Sequence, residues 1–262
     1  MRENPVGIFD SGIGGLSVVK EIVKILPNED IVYFGDTARV PYGIKSKEII
    51  KKFAIDDVNF LLKYKPKIIV IACHTVSSYA SKFLKKKFKN VNFIDVIEPT
   101  VKKAIEITKN KKIGVIGTPA TISSSKYQSL LSKNGISVYT KECPLFVPIV
   151  EEGWFESEIS YEIAKIYLSE LIKKNIDTLI LGCTHYPYLK KIIQKLTGKD
   201  IKIIDASYEV AVKLKEFLEK NGLKREKRNG KIFLFFSDIG PNLRKTVNLL
   251  FGKKIKYKIA KV

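Results

Sequence analysis

The sequence predicts an α/β protein of two similar domains, each a mainly parallel sheet flanked by helices. A pseudo-twofold axis would relate them, with the functional site in between. Three observations predict this. Short apolar runs alternate with amphipathic helical stretches along the chain, the pattern of βαβ units. Most runs hold three or more consecutive apolar residues, as strands buried on both faces do. The chain also resembles itself: VGIFDSGIGGLS (6–17) matches IGVIGTPATISS (113–124), and IIVIACHT (68–75) matches TLILGCTH (178–185).

In order, VGIFD (6–10) reads as the first strand, and the small-residue turn after it opens a helix over 15–25. DIVYF (30–34) is the next strand. GDTARVPYG (35–43) is a loop punctuated by Gly and Pro, followed by a helix over 46–63. Strands at 67–72 (KIIVIA) and 91–95 complete the first half. The second half repeats the alternation, with helices at 98–109, 121–133, 158–174 and 187–196. Its strands are 112–117, 136–140, 177–182 and 201–205. A helix at 207–220 and a strand at 231–236 (KIFLFF) follow. The boundary falls near 97–99, where Pro99 follows Glu98. The expected domains are therefore 1–97 plus 207–262, with the C-terminal segment returning to the first sheet, and 98–206.

With 262 residues, 45% hydrophobic and 28% charged, the chain can bury a sizeable core. No apolar run is long enough to cross a bilayer, so no membrane role is expected. Residues 1–10 carry Arg2, Glu3 and Asp10 with no apolar segment of a signal peptide. Three cysteines, none in a C-x-x-C pair, argue against a disulfide framework and for the reducing cytoplasm. The net charge of +20 raises a nucleic-acid-binding reading. However, the excess lysines are spread over segments such as 85–87, 102–103, 111–112, 173–174 and 253–258, with no helix-turn-helix signal or aromatic-interleaved RNA motif. A solvated lysine surface explains them better, and its field would attract a small dianion.

Cys73 and Cys183 carry the chemistry. Each ends an apolar strand just before a helix, where backbone N–H groups and the helix dipole favour a thiolate and would lower the thiol's pKa. A lone buried Cys is usually a small hydrophobe, and Cys143 in ECPLF reads that way. Two in matched contexts read as function. Opposed thiol and thiolate groups suit racemisation, which takes a proton from one face of a carbon and returns one to the other. A zinc set of Cys73, His74, Cys183 and His185 is a rival, but adjacent strand residues point to opposite faces and the spacing matches no zinc module. A Cys–His nucleophile is another rival and leaves the second Cys unexplained. DSGIGG begins like a dinucleotide loop, but Ser17 stands where the third glycine belongs. Its N–H groups at a helix start would suit a carboxylate equally well. Asp10 is either a cap or a group that orients a thiol or an ammonium. Tyr42 and Gly43 make a turn or line a pocket. Glu151 and Glu152, in VPIVEEGWF, are a solvated pair or one of them is a site carboxylate.

Together GIFDSGIGGLSV, YFGDTARVPYG, the A-C-x-T block at 72–75, GVIGTPATI, CPLFVPIVEEG and LGCTHYP resemble the glutamate racemase family, within the aspartate/glutamate racemase superfamily. The resemblance implies racemisation of glutamate as the small-molecule substrate, with no pyridoxal phosphate and no metal, to supply D-glutamate for peptidoglycan. It permits a homodimer. It makes Cys73 and Cys183 the acid/base thiols, with Asp10 and His185 in support and Glu151 as the site glutamate. Asp10, Ser11, Tyr42, Gly43, Thr75, Thr118, Thr121, Thr184 and His185 become substrate contacts. One position departs: the family carries Asn-Thr after the first Cys, and this chain carries His74–Thr75. His74 would touch the substrate or, by its charge, favour the Cys73 thiolate. Aspartate racemisation or a related isomerisation is the enzymatic alternative. A basic nucleic-acid binder that kept the fold is the alternative from another class.

Overall fold

Residues 2–227, 229–240, 242–252 and 255–260 are described by a computed structural model of the chain. Lys253 and Lys254 of the expected lysine segment lie outside them. The first sheet begins with β1 (Val6–Asp10), α1 (Leu16–Ile25), β2 (Ile31–Gly35) and α2 (Lys47–Leu62). It continues with β3 (Ile68–Ile71), α3 (His74–Tyr79), α4 (Ser81–Lys87) and β4 (Phe93–Asp95). After α5 (Ile97–Ile107) the second sheet runs β5 (Lys112–Gly117), α6 (Pro119–Ser123), α7 (Lys126–Ser132) and β6 (Ser137–Glu142). Then follow α8 (Phe146–Glu151), α9 (Glu158–Ile172), β7 (Thr178–Gly182), α10 (Lys190–Thr197) and β8 (Lys202–Asp205). The chain closes with α11 (Ala206–Lys220), β9 (Ile232–Phe236), α12 (Leu243–Phe251) and β10 (Tyr257–Ile259).

The strands order as β10-β9-β2-β1-β3-β4 in one sheet and β6-β5-β7-β8 in the other. Every strand pairing is parallel. Leaving out β9 and β10, the two orders are the same with the numbering advanced by four. β1 therefore corresponds to β5, and β3 to β7, as the internal sequence matches require. Cys73 follows β3 and Cys183 follows β7, so the thiols occupy equivalent strand ends. β9 pairs with β2 and brings the C-terminal segment back to the first sheet.

β1, β3 and β7 are buried along their whole length, which is why they read as continuous apolar runs. The amphipathic faces of α1 and α11 meet in a core that also takes in Val6 and Ile8 of β1 and Val115 and Ile180 of the second sheet. Packing between the two halves is thus continuous beneath the sheets' carboxyl ends.

Local chemistry accounts for the differences from the sequence reading. The helix expected over 121–133 is two helices, because Ser125 adopts a left-handed conformation (φ 54°) between α6 and α7. The helix expected over 187–196 begins as a 3-10 turn, Tyr186–Leu189, with Pro187 in its first turn. Helices α4, α8 and α12 and strand β10 are outside the sequence reading, and of α3 only a start after Cys73 is expected; they are short, and too few turns repeat for a period to show.

At the opposite end of the first sheet from Cys73, Lys67 and Glu29 form a buried ion pair. Lys67 Nζ also donates to the carbonyls of Arg2 and Leu223, each at 2.9 Å. The Arg225 backbone N–H donates to Glu29 at 2.8 Å, so the pair fastens the chain after α11 to β3. Breaking such a pair strands a buried charge. Lys67→Met should therefore cost about 3–5 kcal/mol in urea unfolding. A loss near zero would show that the pair is not structural.

Candidate active site

Each thiol is placed by the end of a central strand. Cys73 is the N-cap residue of α3, in extended backbone conformation, and its Sγ lies 3.7 Å from the Ser11 hydroxyl on the turn after β1. Burial pushes the Cys73 thiol up to about 12, and the nearby Asp10 carboxylate adds to the rise. The Val76 N–H and the Ser11 hydroxyl pull the other way without offsetting them. The lowered thiol expected at a helix start is thus overturned for Cys73: α3 is one short helix, and desolvation outweighs its N–H groups.

Cys183 sits beside His185, whose Nδ1 is 3.8 Å from Sγ. The other imidazole nitrogen, Nε2, lies 2.7 Å from Glu151 Oε1, contributed by the end of α8. Burial lowers the His185 pKa, but its bonds to Cys183 and Glu151 outweigh that and hold it well above the ordinary value. These two partners therefore favour the charged form of His185. Burial pushes the Asp10 carboxyl up, against the pull of the His185 charge and of donors on Gly12 and Thr184. Asp10 shapes the turn that leads into α1, and its other bond is to a hydroxyl rather than a thiol. Its Oδ1 accepts from the Gly12 N–H at 3.1 Å, and its Oδ2 accepts from the Thr184 hydroxyl of the other half at 3.0 Å. Only glycine permits this approach at position 14, where a β-carbon would lie 2.5 Å from Thr184 Oγ1 and 2.6 Å from His185 Nδ1.

Between these turns lies a narrow pocket with little free volume. Of the expected residues, it is lined by Ser11, Tyr42, Gly43, Cys73, His74, Thr75, Thr118, Cys183, Thr184 and His185. Asp10, Thr121 and Glu151 stand behind that lining. Thr75, Thr118 and Thr121 form a closed triangle of hydroxyls, with separations of 3.0, 3.2 and 3.0 Å. Gly43 abuts Thr118, where a β-carbon would fall 2.5 Å from Thr118 Cβ. The Tyr42 hydroxyl is turned away from the cavity: it donates to Asp36 and lies 3.3 Å from Asp57, while Arg39 bridges Asp36, Asp56 and Asp57. Glu152 takes no part in the His185 contact, so of the two acids in VPIVEEGWF it is Glu151 that reaches the site.

His74 corrects two expectations. Cys73 and His74 do not diverge as strand neighbours; they begin a helix, and both line the cavity. His74 Nδ1 is 3.1 Å from the Tyr127 hydroxyl on α7, and burial, only partly opposed by Asp95, lowers the imidazole to about 3. It is neutral and adds no positive charge beside Cys73. Among the described residues, no group of three His, Cys, Asp or Glu side chains is gathered to hold a metal ion. Cys143 is buried and its Sγ lies 3.8 Å from the Lys141 carbonyl, in the packing behind the second sheet.

The sequence reading missed Val40, Pro41 and Val147, which also line the cavity. Their blocks, VPYG and CPLFVPIVEEG, had been singled out for neighbouring residues. Tyr127 was missed for want of any local signal.

The charged His185 contributes stability that is fully present below its unfolded pKa, about 6.5, and lost as pH rises through its raised folded value. Glu151→Gln removes one of the two bonds that raise it, so that loss should begin at lower pH. The chain has two histidines, and a carbon-detected NMR titration of their rings reads the shift directly. An unmoved His185 titration would rule Glu151 out as its support.

Comparison with known proteins agrees with this architecture. The Asp/Glu/Hydantoin racemase family model matches residues 6–214. The glutamate racemase of Aquifex pyrophilus is 48% identical over 255 residues, 97% of each chain. The crystal structure of glutamate racemase from Francisella tularensis subsp. tularensis SCHU S4, in complex with D-glutamate, superposes with a TM-score of 0.92 at 40% identity, covering 100% of this chain and 98% of that one. The aspartate racemase of Picrophilus torridus shares the fold, with a TM-score of 0.58 at 21% identity over 86% of this chain and 96% of its own. With the family's sequence pattern running through both sheets and around the cavity, the chain belongs to the Asp/Glu/Hydantoin racemase family.

Proposed function

We propose that the protein interconverts L- and D-glutamate without a cofactor, using Cys73 and Cys183 as the two acid/base groups. One observation carries the reading: thiols from equivalent strand ends of two like-ordered sheets line one narrow pocket. The racemase membership and the glutamate racemases at high identity over nearly full length support the substrate.

The step runs as follows. A thiolate on one side takes the Cα proton and becomes a thiol. The electron pair of the broken C–H bond is held on Cα and delocalised into the α-carboxylate. The thiol on the other side then gives its proton to the opposite face of Cα and is left as the thiolate. Net charge and proton count are unchanged, so each turnover leaves the site poised for the reverse direction. The two thiols have unlike neighbours: burial and the Asp10 carboxylate hold the proton on Cys73, while His185 lies beside Cys183. The hydroxyls of Ser11, Thr75, Thr118 and Thr184 and the N–H groups at the starts of α3 and α6 suit a substrate with two carboxylates. The surface charge of +20 would draw it in. The chain's role would be to supply D-glutamate for peptidoglycan.

Cys73→Ala and Cys183→Ala should each lower racemisation in both directions by about 10²–10⁴-fold, while Cys143→Ala stays folded and near wild type. Turnover in heavy water should carry solvent deuterium into Cα of L- and D-glutamate but not of aspartate, and should persist after exhaustive chelation. Near-normal turnover in either of the first two variants would sink the two-thiol mechanism. Faster exchange into aspartate would reassign the substrate.

A further inference from the structure

We propose that Tyr127 is a positioning residue of the site: its hydroxyl donates to His74 Nδ1, so that the imidazole's Nε2–H is the donor offered to a carboxylate of the substrate. This rests on the glutamate reading and goes further, assigning a role to the one block residue that departs from the family pattern and to a tyrosine outside every recognised block.

The geometry is specific. His74 lines the cavity as the first residue of α3, immediately after Cys73. Its Nδ1 is engaged by Tyr127 at 3.1 Å, which leaves Nε2 for the cavity. Tyr127 is fully buried in α7, the ring centroids are 6.1 Å apart with the planes tilted by 32°, and the contact is made through the hydroxyl. The direction of the proton follows from chemistry. A neutral imidazole nitrogen is the stronger base and a phenol the stronger acid, so the phenol donates. The neighbouring Thr100 hydroxyl commits its own proton to the Val96 carbonyl at 2.6 Å, so its oxygen and His74 Nδ1 are the two acceptors open to the phenol. The titratable groups facing the ring are Cys73 beside it, Tyr127 from α7 and Asp95 at the end of β4; in this surrounding the ring stays neutral.

Two consequences follow. An Nε2–H donor on a neutral ring can do for a carboxylate what a side-chain amide N–H does, so the substitution at this position need not abolish carboxylate binding. His74 also belongs to the half that carries β3, and Tyr127 to the half that carries β5, so the same bond joins the two halves across the pocket.

The test uses the whole protein labelled with ¹⁵N in its two histidines, with His74→Asn assigning the signals. In the wild type, His74 should be the Nε2–H tautomer and should stay neutral where His185 is protonated. L- or D-glutamate should shift its Nε2–H resonance. Tyr127→Phe should release the tautomer preference and raise KM for glutamate more than it lowers kcat, for a loss in kcat/KM of roughly three- to tenfold, the effect of one neutral hydrogen bond. In the His74→Asn background, Tyr127→Phe should change kcat/KM by less than about twofold. An Nδ1–H tautomer in the wild type would overturn the proposal, as would a Tyr127→Phe effect of equal size in both backgrounds, which marks a structural role. The tautomer measurement needs no variant beyond the assignment and no activity. If wild-type protein fails to turn over glutamate, the functional reading falls, and the tautomer still decides the His74–Tyr127 assignment.

Discussion

The hydrogen bond from Thr184 to Asp10 is the contact on which the rest of the site depends. It crosses from the turn after β7 to the turn after β1, is fully buried, and forms only because Gly14 lets the two turns touch. Once they touch, the carboxyl ends of the two sheets face each other, and Cys73 and Cys183 share one enclosed space. The apolar packing of α1 against α11 holds the halves together from beneath. That packing is non-directional; the glycine contact and the Asp10–Thr184 bond set the register.

Enclosure then governs the electrostatics. Every ionisable group at the cavity is taken from water, and each responds according to its partners. Cys73 has a hydroxyl and a carboxylate for neighbours and keeps its proton. His185 lies between a sulfur and a carboxylate, which favour its charged form. His74 faces a phenol and loses the ability to carry charge. Equivalent positions in two like-ordered sheets therefore have unlike neighbours: Cys73 a hydroxyl, Cys183 an imidazole.

The lining is hydrogen-bonded and buried on one side and half-buried on another. The hydroxyl triangle of Thr75, Thr118 and Thr121 is buried, and Tyr42 is anchored by the Arg39–Asp36–Asp57 network beneath the 35–43 loop. Val40 and Pro41, on the same loop, are the half-buried part of the wall.

The fold class, the repeated halves, the return of the C-terminal segment to the first sheet and both thiols were legible in the sequence. Strands buried on both faces leave runs of apolar residues, and strand-to-helix turns leave small residues at fixed offsets; both are local signatures. The short helix α8 was not legible, and α3, legible only as a helix start after Cys73, changed the outcome at His74 because it makes Cys73 and His74 adjacent residues of that start rather than strand neighbours. Nor could the sequence rank desolvation against a helix's N–H groups at Cys73, because burial is set by what the other half of the chain places over it. Tyr127 stands 53 residues from His74, in no motif, and meets it only because α7 of one half packs against α3 of the other. By itself the sequence determined which residue types end which strands. The tertiary structure decided which of them share a cavity, which face away from it, and which keep a proton, because proximity and exclusion of water are properties of the packed chain.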